Sequence, residues 1–302
     1  TKSDKVDAAN AMSRLIEREK VVAVLGEMIS GDTIAASDYA ERAKIPMISP
    51  TATNPIVTQG KKFVFRVCFI DPEQGRVGAK LARENLKAKT AAIIYDISQD
   101  YCVGLKTFFQ RDFVKSGGKI VSETMFKTGD RDFTPQLSRI KSMNPDVIYA
   151  PIYYTECALI AKQAREMGLD VPILAGDGVQ APELMQLGGK DVEGLYFTAH
   201  FHEDMVDTPL AKKFLEMCKK DTGVELDSFA AQAGDAYFVL VDAIKRAGST
   251  DPEKIRDAIV QTKDFQGVTG KITMKPDGNA EKAMVINKVK DGKFVYVTTI
   301  MP

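Results

Sequence analysis

Residues 91–116, AAIIYDISQDYCVGLKTFFQRDFVKS, join a short apolar run to a longer amphipathic stretch. The run at 91–95 is continuous and too short for a stable helix, so it predicts a strand buried on both faces. The stretch at 104–116 has the apolar spacing of a helix. A buried strand followed by an amphipathic helix is the repeating unit of parallel α/β sheets, so this segment indicates the fold class.

The same alternation recurs on both sides of this segment. Further short apolar runs predict buried strands at 21–26, 45–49, 147–153, 173–176 and 195–199. Helical patterns lie between the runs, at 32–43, 74–86, 133–141 and 156–167. Repeated strand–helix–strand units predict an α/β protein with doubly wound sheets.

The pattern changes in the last third of the chain. Residues 209–262 contain three helical stretches, and the longest, 229–247, is followed by Gly248 as a stop signal. Asp251-Pro252 predicts the start of the next helix, because proline is favoured at the first helical position. Strands are then predicted at 271–274, 284–289 and 294–300.

Composition and charge exclude several classes of protein. Lys plus Arg and Asp plus Glu each number 41, so no excess of positive charge is available to neutralise phosphates, and nucleic acid is not an expected partner. With 302 residues, the chain is long enough for two domains. The cysteines are far apart in the sequence and form no CxxC pair, which argues against structural zinc; they are Cys68, Cys102, Cys157 and Cys218.

Motifs for catalysis and cofactor binding are missing from the sequence. It has no GxGxxG after a strand, no P-loop and no GxSxG elbow, so we expect no enzyme activity and no cofactor. His200 and His202 form an HxH pair that, on a strand, would place both rings on one face, where a metal is conceivable. Glu203 and Asp204 are the only nearby candidates for a third ligand, and a polar segment at a domain crossing is the favoured interpretation.

Hydroxyl side chains follow the first two predicted strands, where α/β sheets bind ligands. Ser30 stands where a helix begins, so its hydroxyl and nearby N–H groups suit an anion; the alternative is that Ser30 or Asp32 caps that helix. Thr51, Ala52 and Thr53 follow the second strand in a loop held extended by two prolines, which suits a carboxylate. An ordinary turn is the alternative for this loop.

Tyrosines and one carboxylate follow later strands. Tyr101 comes after 91–95, Tyr153 and Tyr154 come after the apolar residues 147–152, and Asp177 follows 173–176. Aromatic rings with a single carboxylate suit a ligand that has an ammonium group and an apolar body. Tyr154 has a second interpretation as merely the first residue of a helix.

Several segments resemble one known family in the same order along the chain. ISPTATNP at 48–55 resembles the signature loop of the periplasmic branched-chain amino-acid binding proteins, and FRVCFIDPEQG at 65–75 is similar to the segment that follows it there. GDRDF at 129–133 and GVTGKI at 267–272 also look like family segments. The resemblance extends over essentially the whole chain.

The resemblance implies a type I periplasmic-binding fold, with two doubly wound lobes joined by three crossings. Residues 1–70 plus 201–283 would form the first lobe, and 71–200 plus 284–302 the second. A leucine, isoleucine or valine-type ligand would bind between the closing lobes and pass to an ABC importer. The ligand residues implied are Ser30, Thr51, Ala52 and Thr53 in the first lobe, Tyr101, Tyr153 and Asp177 in the second, and Phe229 as an apolar wall.

The resemblance also implies a location and an unusual chain start. Family members work in the periplasm or as cell-surface lipoproteins. The first residues, TKSD, resemble the segment after the family's second strand, so we expect an N-terminally incomplete first lobe, with strand exchange from another chain as one way to fill it. The alternative function is a sensor of the same fold that binds an amide or another small metabolite.

Overall fold

Helices and strands alternate along most of the chain, as the sequence predicts. The computed structural model describes residues 1–223 and 226–301. The helices are α1 (Lys5–Glu17), α2 (Ser30–Ala43), α3 (Asp71–Lys80), α4 (Asp100–Lys115), α5 (Thr134–Met143), α6 (Tyr154–Glu166), α7 (Glu183–Gly188), α8 (Pro209–Thr222), α9 (Ser228–Ala247) and α10 (Pro252–Val260). The strands are β1 (Val24–Leu25), β2 (Met47–Ser49), β3 (Val64–Arg66), β4 (Thr90–Asp96), β5 (Lys119–Phe126), β6 (Val147–Ala150), β7 (Ile173–Ala175), β8 (Tyr196–Ala199), β9 (Phe265–Gln266), β10 (Lys271–Met274), β11 (Ala280–Glu281), β12 (Met284–Lys290) and β13 (Lys293–Ile300).

These elements fall into two compact units, each built from separate stretches of chain. Unit 1 comprises Thr1–Ile70, His200–Ala283 and Met301–Pro302. Unit 2 comprises Asp71–Ala199 and Met284–Ile300. Each unit has its own sheet and its own buried apolar side chains.

Unit 1 contains a parallel sheet and a small antiparallel one. The parallel sheet has the order β1-β2-β3, and Ile48 at its centre pairs with Leu25 on one side and Phe65 on the other. β10 lies between β11 and β9 in the antiparallel sheet. Ile48 and Phe65 are buried in the same cluster as Val239 of α9 and Ile255 of α10, so these helices cover the parallel sheet.

Unit 2 contains a seven-stranded sheet with the order β13-β12-β8-β7-β6-β4-β5, among the described residues. The five strands β4 to β8 are parallel, whereas β12 and β13 are antiparallel additions at one edge. The central parallel strands β4, β6 and β7 are buried on both faces along nearly their whole length, in keeping with the helices that connect them. Tyr149 of β6 stacks on Phe109 of α4 with ring centroids 3.7 Å apart, which joins sheet and helix layers.

Helix ends in unit 1 confirm two local predictions. α9 ends at Gly248, which adopts the left-handed conformation (φ 57°) that glycine tolerates best. α10 has Pro252 in its first turn, and the side chain of Asp251 accepts the N–H groups of Glu253 and Lys254. Both ends follow the standard chemistry of helix starts and stops.

Some predicted boundaries were wrong, for local reasons. Strand β6 ends at Ala150 rather than at residue 153, and Tyr153 is the extended residue before α6. α4 begins at Asp100, four residues before the predicted start, because Gln99 takes the extended conformation that precedes a helix. Tyr154 is the first residue of α6, as its second interpretation proposed. No helix in residues 1–223 and 226–301 combines the length and the apolar character that crossing a bilayer requires.

Candidate ligand-binding site

Ser30 lies at the start of α2 in unit 1 and links that helix to the loop after β2. Its hydroxyl oxygen accepts the backbone N–H of Asn54 at 3.3 Å. The capping alternative is wrong, because Ile29 is the residue that precedes the helix and Asp32 lies inside the first turn. Since Ser30 accepts in this bond, its own proton can still be donated to another group.

The hydroxyl groups around the loop at 50–54 have different partners. Thr51 donates to the backbone oxygen of Met28 at 2.6 Å, and Ser49 donates to that of Glu27 at 2.6 Å. The N–H of Ala52 is donated to the Ser49 hydroxyl at 3.1 Å. These bonds tie the loop after β2 to the loop after β1, so the two loops form one surface of unit 1.

Thr53 differs from its neighbours because its hydroxyl has no partner within the described part of the chain. The residue is fully buried, and its Oγ1 atom makes no hydrogen bond there. A buried hydroxyl without a partner is costly, so such a group calls for a partner outside the protein chain. Thr53 therefore carries the one hydroxyl of Thr51 and Thr53 that the described residues leave unsatisfied.

Arg66 supports this loop and was not predicted to have a role. Its guanidinium is fully buried and donates to the backbone oxygens of Ala52 and Asn54, at 2.6 and 2.9 Å, and to the Thr58 hydroxyl at 3.2 Å. The signal in the sequence is a single charge inside the otherwise apolar run at 63–70, because a buried arginine must have several acceptors.

Asp177 begins a single 3₁₀ turn that follows β7 in unit 2. The residue is 5% exposed, and its backbone N–H is donated to the side-chain oxygen of Gln74 at 2.8 Å. The next N–H, that of Gly178, is donated to the hydroxyl oxygen of Tyr101 at 3.2 Å. Side chains of α3 and α4 thus hold the backbone of Asp177, whose carboxylate is the predicted ammonium-binding group.

Tyr101 and Tyr153 form an aromatic pair beside this turn. Their ring centroids are 5.2 Å apart and their planes are inclined by 32°. Burial raises the pKa of the Tyr101 hydroxyl well above its usual range, and the negative charge of Asp177 raises it further. The structure therefore brings Tyr101, Tyr153 and Asp177 together at one edge of the unit 2 sheet.

Phe229 lies in the first turn of α9 in unit 1 and is half-buried. The first turn of this helix is capped by Asp227, whose carboxylate accepts the N–H of Ala230 at 2.7 Å. The cap fixes the helix start that carries Phe229.

The two histidines do not share a strand, so that premise of the metal interpretation is wrong. β8 ends at Ala199, and His200 is fully buried with its ring stacked on Phe69 at 3.6 Å. His202 instead accepts the N–H of Asp204. Across residues 1–223 and 226–301, no group of three or more His, Cys, Asp or Glu side chains is placed to hold a metal.

None of the four cysteines is part of a disulfide, and three of them, Cys68, Cys102 and Cys157, are buried. Burial raises the pKa of Cys157 to about 12. Cys68, also buried, contacts the carbonyl oxygen of Ala52 at 3.4 Å. The three buried thiols therefore pack as small groups of the core.

Comparison with known proteins identifies the family. The family model described as "Periplasmic binding protein" matches residues 1–293. The leucine-, isoleucine-, valine-, threonine- and alanine-binding protein of Pseudomonas aeruginosa is 30% identical over 274 residues, which are 90% of this chain and 72% of that protein.

Two solved structures are similar over the full chain. The leucine binding protein LivK from Thermotoga maritima has a TM-score of 0.97 at 48% identity, and the match covers 100% of this chain and 86% of that one. The branched-chain amino acid transporter substrate binding protein LivJ from Streptococcus pneumoniae, in complex with isoleucine, has a TM-score of 0.93 at 33% identity, with coverage of 100% and 85%.

These similarities confirm the predicted type I periplasmic-binding fold. The family consists of solute-binding proteins rather than of enzymes, and it implies an extracytoplasmic location. The chain belongs to the periplasmic binding protein family, among the relatives of the Leu/Ile/Val-binding proteins.

Proposed function

We propose that this protein captures a small apolar amino acid of the branched-chain type and delivers it to the permease of an ABC importer. It would do so in the periplasm, or at the cell surface as a lipoprotein, without transforming its ligand. The observation that carries the proposal is the position of Asp177 beside Tyr101 and Tyr153 in unit 2. A carboxylate next to aromatic rings suits an ammonium group attached to an apolar body.

We assign the ligand's carboxylate to unit 1. The Thr53 hydroxyl has no partner among the described residues, and the Ser30 hydroxyl keeps a proton to donate. The first N–H groups of α2 lack acceptors within the helix and carry its partial positive charge, which favours an anion. Thr51 and Ala52 complete this surface, and their own hydrogen bonds hold its shape.

We assign the ammonium group to Asp177 and the apolar side chain to Tyr101, Tyr153 and Phe229. The two units would be the two lobes, and a ligand that contacts both would favour the closed state by its differential affinity. The names of the similar proteins support this ligand class, since they bind leucine, isoleucine, valine or close relatives.

The chemistry of the assigned groups predicts a pattern of selectivity. Each buried methylene contributes roughly 0.8 kcal/mol, so aliphatic amino acids that differ by one methylene should differ by only about fourfold in affinity. Loss of either charged group of the ligand would leave a buried polar or charged residue unpaired, which costs far more.

Isothermal titration calorimetry of the wild-type protein with the twenty amino acids tests the proposal. We expect leucine, isoleucine and valine to bind, and we expect leucinamide and 4-methylpentanoate, which lack one charged group each, to bind much more weakly. Asp177→Asn should weaken leucine binding by at least about 30-fold, since removal of one partner of a buried charge pair costs about 2–5 kcal/mol.

Asp170→Asn is the matched control, because Asp170 is an exposed carboxylate of the same unit. It should leave leucine affinity unchanged. A wild-type protein that gives no heat with any aliphatic amino acid contradicts the ligand class, and unchanged affinity in Asp177→Asn contradicts the role of that carboxylate.

A further inference from the structure

Gln74 is a fully buried amide in the first turns of α3. Two donors converge on its side-chain oxygen, which are the N–H of Asp177 at 2.8 Å and the hydroxyl of Thr198 at 2.5 Å. A backbone N–H can only donate, so the atom that faces Asp177 must be the carbonyl oxygen of the amide. The orientation of the Gln74 side chain is thereby fixed.

The turn that carries Asp177 depends on side chains for its conformation. It is a single turn, Asp177–Val179, closed by the N–H of Gln180 bonding to the oxygen of Asp177 at 3.2 Å and followed by the N–H of Ala181 bonding to the oxygen of Val179 at 2.8 Å. The two N–H groups at its start are instead taken by Gln74 and Tyr101. These two bonds set the backbone direction from which the Asp177 carboxylate projects.

Gly176 allows Gln74 and Tyr101 to come this close to the turn. A β-carbon at residue 176 would lie 2.3 Å from the Tyr101 hydroxyl and 2.9 Å from the Gln74 oxygen. Both separations are shorter than carbon and oxygen atoms allow without displacement of the side chains. The glycine therefore belongs to the same arrangement as the amide and the phenol.

The nitrogen of the Gln74 amide argues against a role in packing alone. It is buried and has no hydrogen-bond partner within the described residues. An amide with one unsatisfied end is a poor space-filling group, because an apolar side chain of the same length would avoid the cost of desolvation. The Gln74 side chain makes its hydrogen bonds through its oxygen, and one of them holds the backbone N–H of Asp177.

We infer that Gln74 is a positioning residue that aims the Asp177 carboxylate at the ligand's ammonium group, through its hydrogen bond to the Asp177 N–H. This inference rests on the proposed function for its ligand and on the geometry of unit 2 for its mechanism. Gln74 follows the passage of the chain from unit 1 to unit 2 by a few residues, and Thr198 precedes the return by two. The Gln74 oxygen therefore connects the Asp177 backbone to both of these segments.

The test compares Gln74→Met with Thr198→Val, because each removes one of the two bonds to the same oxygen. Gln74→Met keeps the length of the side chain but removes the acceptor for Asp177. Thr198→Val removes the other donor and leaves the Asp177 bond in place. Calorimetry with leucine and with 4-methylpentanoate, which is leucine without its amino group, measures how much the ammonium group contributes to binding.

We expect Gln74→Met to weaken leucine binding about tenfold, a loss typical of a misplaced charged hydrogen bond, and to change 4-methylpentanoate binding by less than about twofold. Thr198→Val should change both affinities by less than about twofold. Equal losses for both ligands in Gln74→Met, or no loss for leucine, would overturn the inference. Gln74→Asn withdraws the acceptor by one methylene and should reproduce the selective loss if Gln74→Met does not fold.

Amide hydrogen exchange by NMR gives a readout that needs no ligand. In the unliganded protein, the Asp177 N–H should exchange at least about tenfold faster in Gln74→Met than in Thr198→Val, because only the first variant loses its acceptor. Equal exchange in the two variants would contradict the inference. A wild-type protein that binds no amino acid contradicts the proposed function instead, and the exchange rates still decide whether Gln74 holds Asp177.

Discussion

The guanidinium of Arg66 donates a hydrogen bond of 2.6 Å to the backbone oxygen of Ala52, the central residue of the Thr51–Thr53 loop segment. Its other terminal nitrogen contacts the oxygen of Asn54 and the hydroxyl of Thr58. A planar guanidinium can satisfy several acceptors at fixed angles, which a lysine ammonium cannot do. Arg66 therefore determines the course of the loop that carries the candidate carboxylate-binding hydroxyls.

Replacing Arg66 should destabilise the protein strongly. Arg66→Met removes the guanidinium donor from the Ala52 and Asn54 oxygens and from the Thr58 hydroxyl, and we expect the free energy of unfolding to fall by about 2–4 kcal/mol. Arg66→Lys should recover only part of this loss. Urea unfolding monitored by circular dichroism measures the change, and Arg14→Met, at an exposed site of the same unit, is the control. Equal unfolding midpoints for Arg66→Met and Arg14→Met would show that the buried bonds contribute nothing.

Thr53 offers a substitution with opposite effects on stability and binding. Thr53→Val replaces a buried hydroxyl that lacks a partner within the described residues, so the unliganded protein should be as stable as the wild type or more stable by about 1 kcal/mol. Leucine affinity should nevertheless fall about tenfold, because the ligand's carboxylate loses a donor.

Thr124→Val is the control for Thr53→Val. The Thr124 hydroxyl is also buried but donates to the oxygen of Ile93 at 3.3 Å, so its loss should lower stability and leave affinity unchanged. Thermal unfolding and calorimetry on both variants separate the two effects. A Thr53→Val protein that loses stability and keeps full affinity would remove Thr53 from the proposed site.

Asp235 and Lys282 form a buried pair of opposite charges joined through Thr269. The Asp235 carboxylate accepts the N–H and the hydroxyl of Thr269, and the Lys282 ammonium donates to the same hydroxyl oxygen. Burial raises the pKa of Asp235 and lowers that of Lys282, and each charge opposes the shift of the other. Removal of one partner should therefore leave the other charge buried and uncompensated.

We expect Asp235→Ala to lower the free energy of unfolding by about 3–5 kcal/mol, because it leaves the Lys282 charge and the N–H groups of Val268 and Thr269 without this carboxylate. The double variant Asp235→Ala/Lys282→Met should cost less than the sum of its single variants. Urea titrations of all three give the coupling. Glu253→Gln, in the exposed ion pair with Lys44, should change stability by less than about 1 kcal/mol. Strict additivity of the two buried substitutions would refute the coupling.

The sequence was sufficient to predict the buried strands of unit 2, but it did not predict every strand. β4 and β7 are continuous apolar runs and were predicted, whereas β5 was not. β5 is an edge strand whose exposure varies from residue to residue, so it lacks the apolar run that marks a strand buried on both faces. β3 was not predicted either, because Arg66 places a charge inside the apolar run at 63–70.

The sequence could predict which loops form the candidate site, but it could not predict the hydrogen bonds that their side chains make. Local sequence placed hydroxyls after β2, but it could not show that Thr51 bonds Met28 while Thr53 lacks a partner among the described residues. That difference depends on a contact between residues 23 positions apart. The roles of Arg66 and Gln74 were not predicted for the same reason. Each side chain bonds backbone groups that come close to it only in the folded protein.

Glu156, in the first turn of α6, should make stability depend on pH. Burial raises the pKa of its carboxyl above the ordinary value of 4.5, and the negative charge of Asp96 raises it further. N–H groups of Glu156 and Gly129, together with the charge of Arg131, oppose the shift without cancelling it. The folded state therefore binds a proton more tightly than the unfolded state does at this position.

The sign of the effect follows from that difference in proton binding. The contribution of Glu156 to stability is fully present below the ordinary pKa of 4.5 and is lost as the pH rises through the higher pKa of the folded state. Glu156→Gln keeps the size of the side chain and removes the titration. The stability of Glu156→Gln relative to wild type should therefore increase from pH 4 to about pH 7, as measured by urea unfolding at each pH. Glu166→Gln, at the exposed end of the same helix, is the control, and a Glu156→Gln difference that stays constant over this range would contradict the raised pKa.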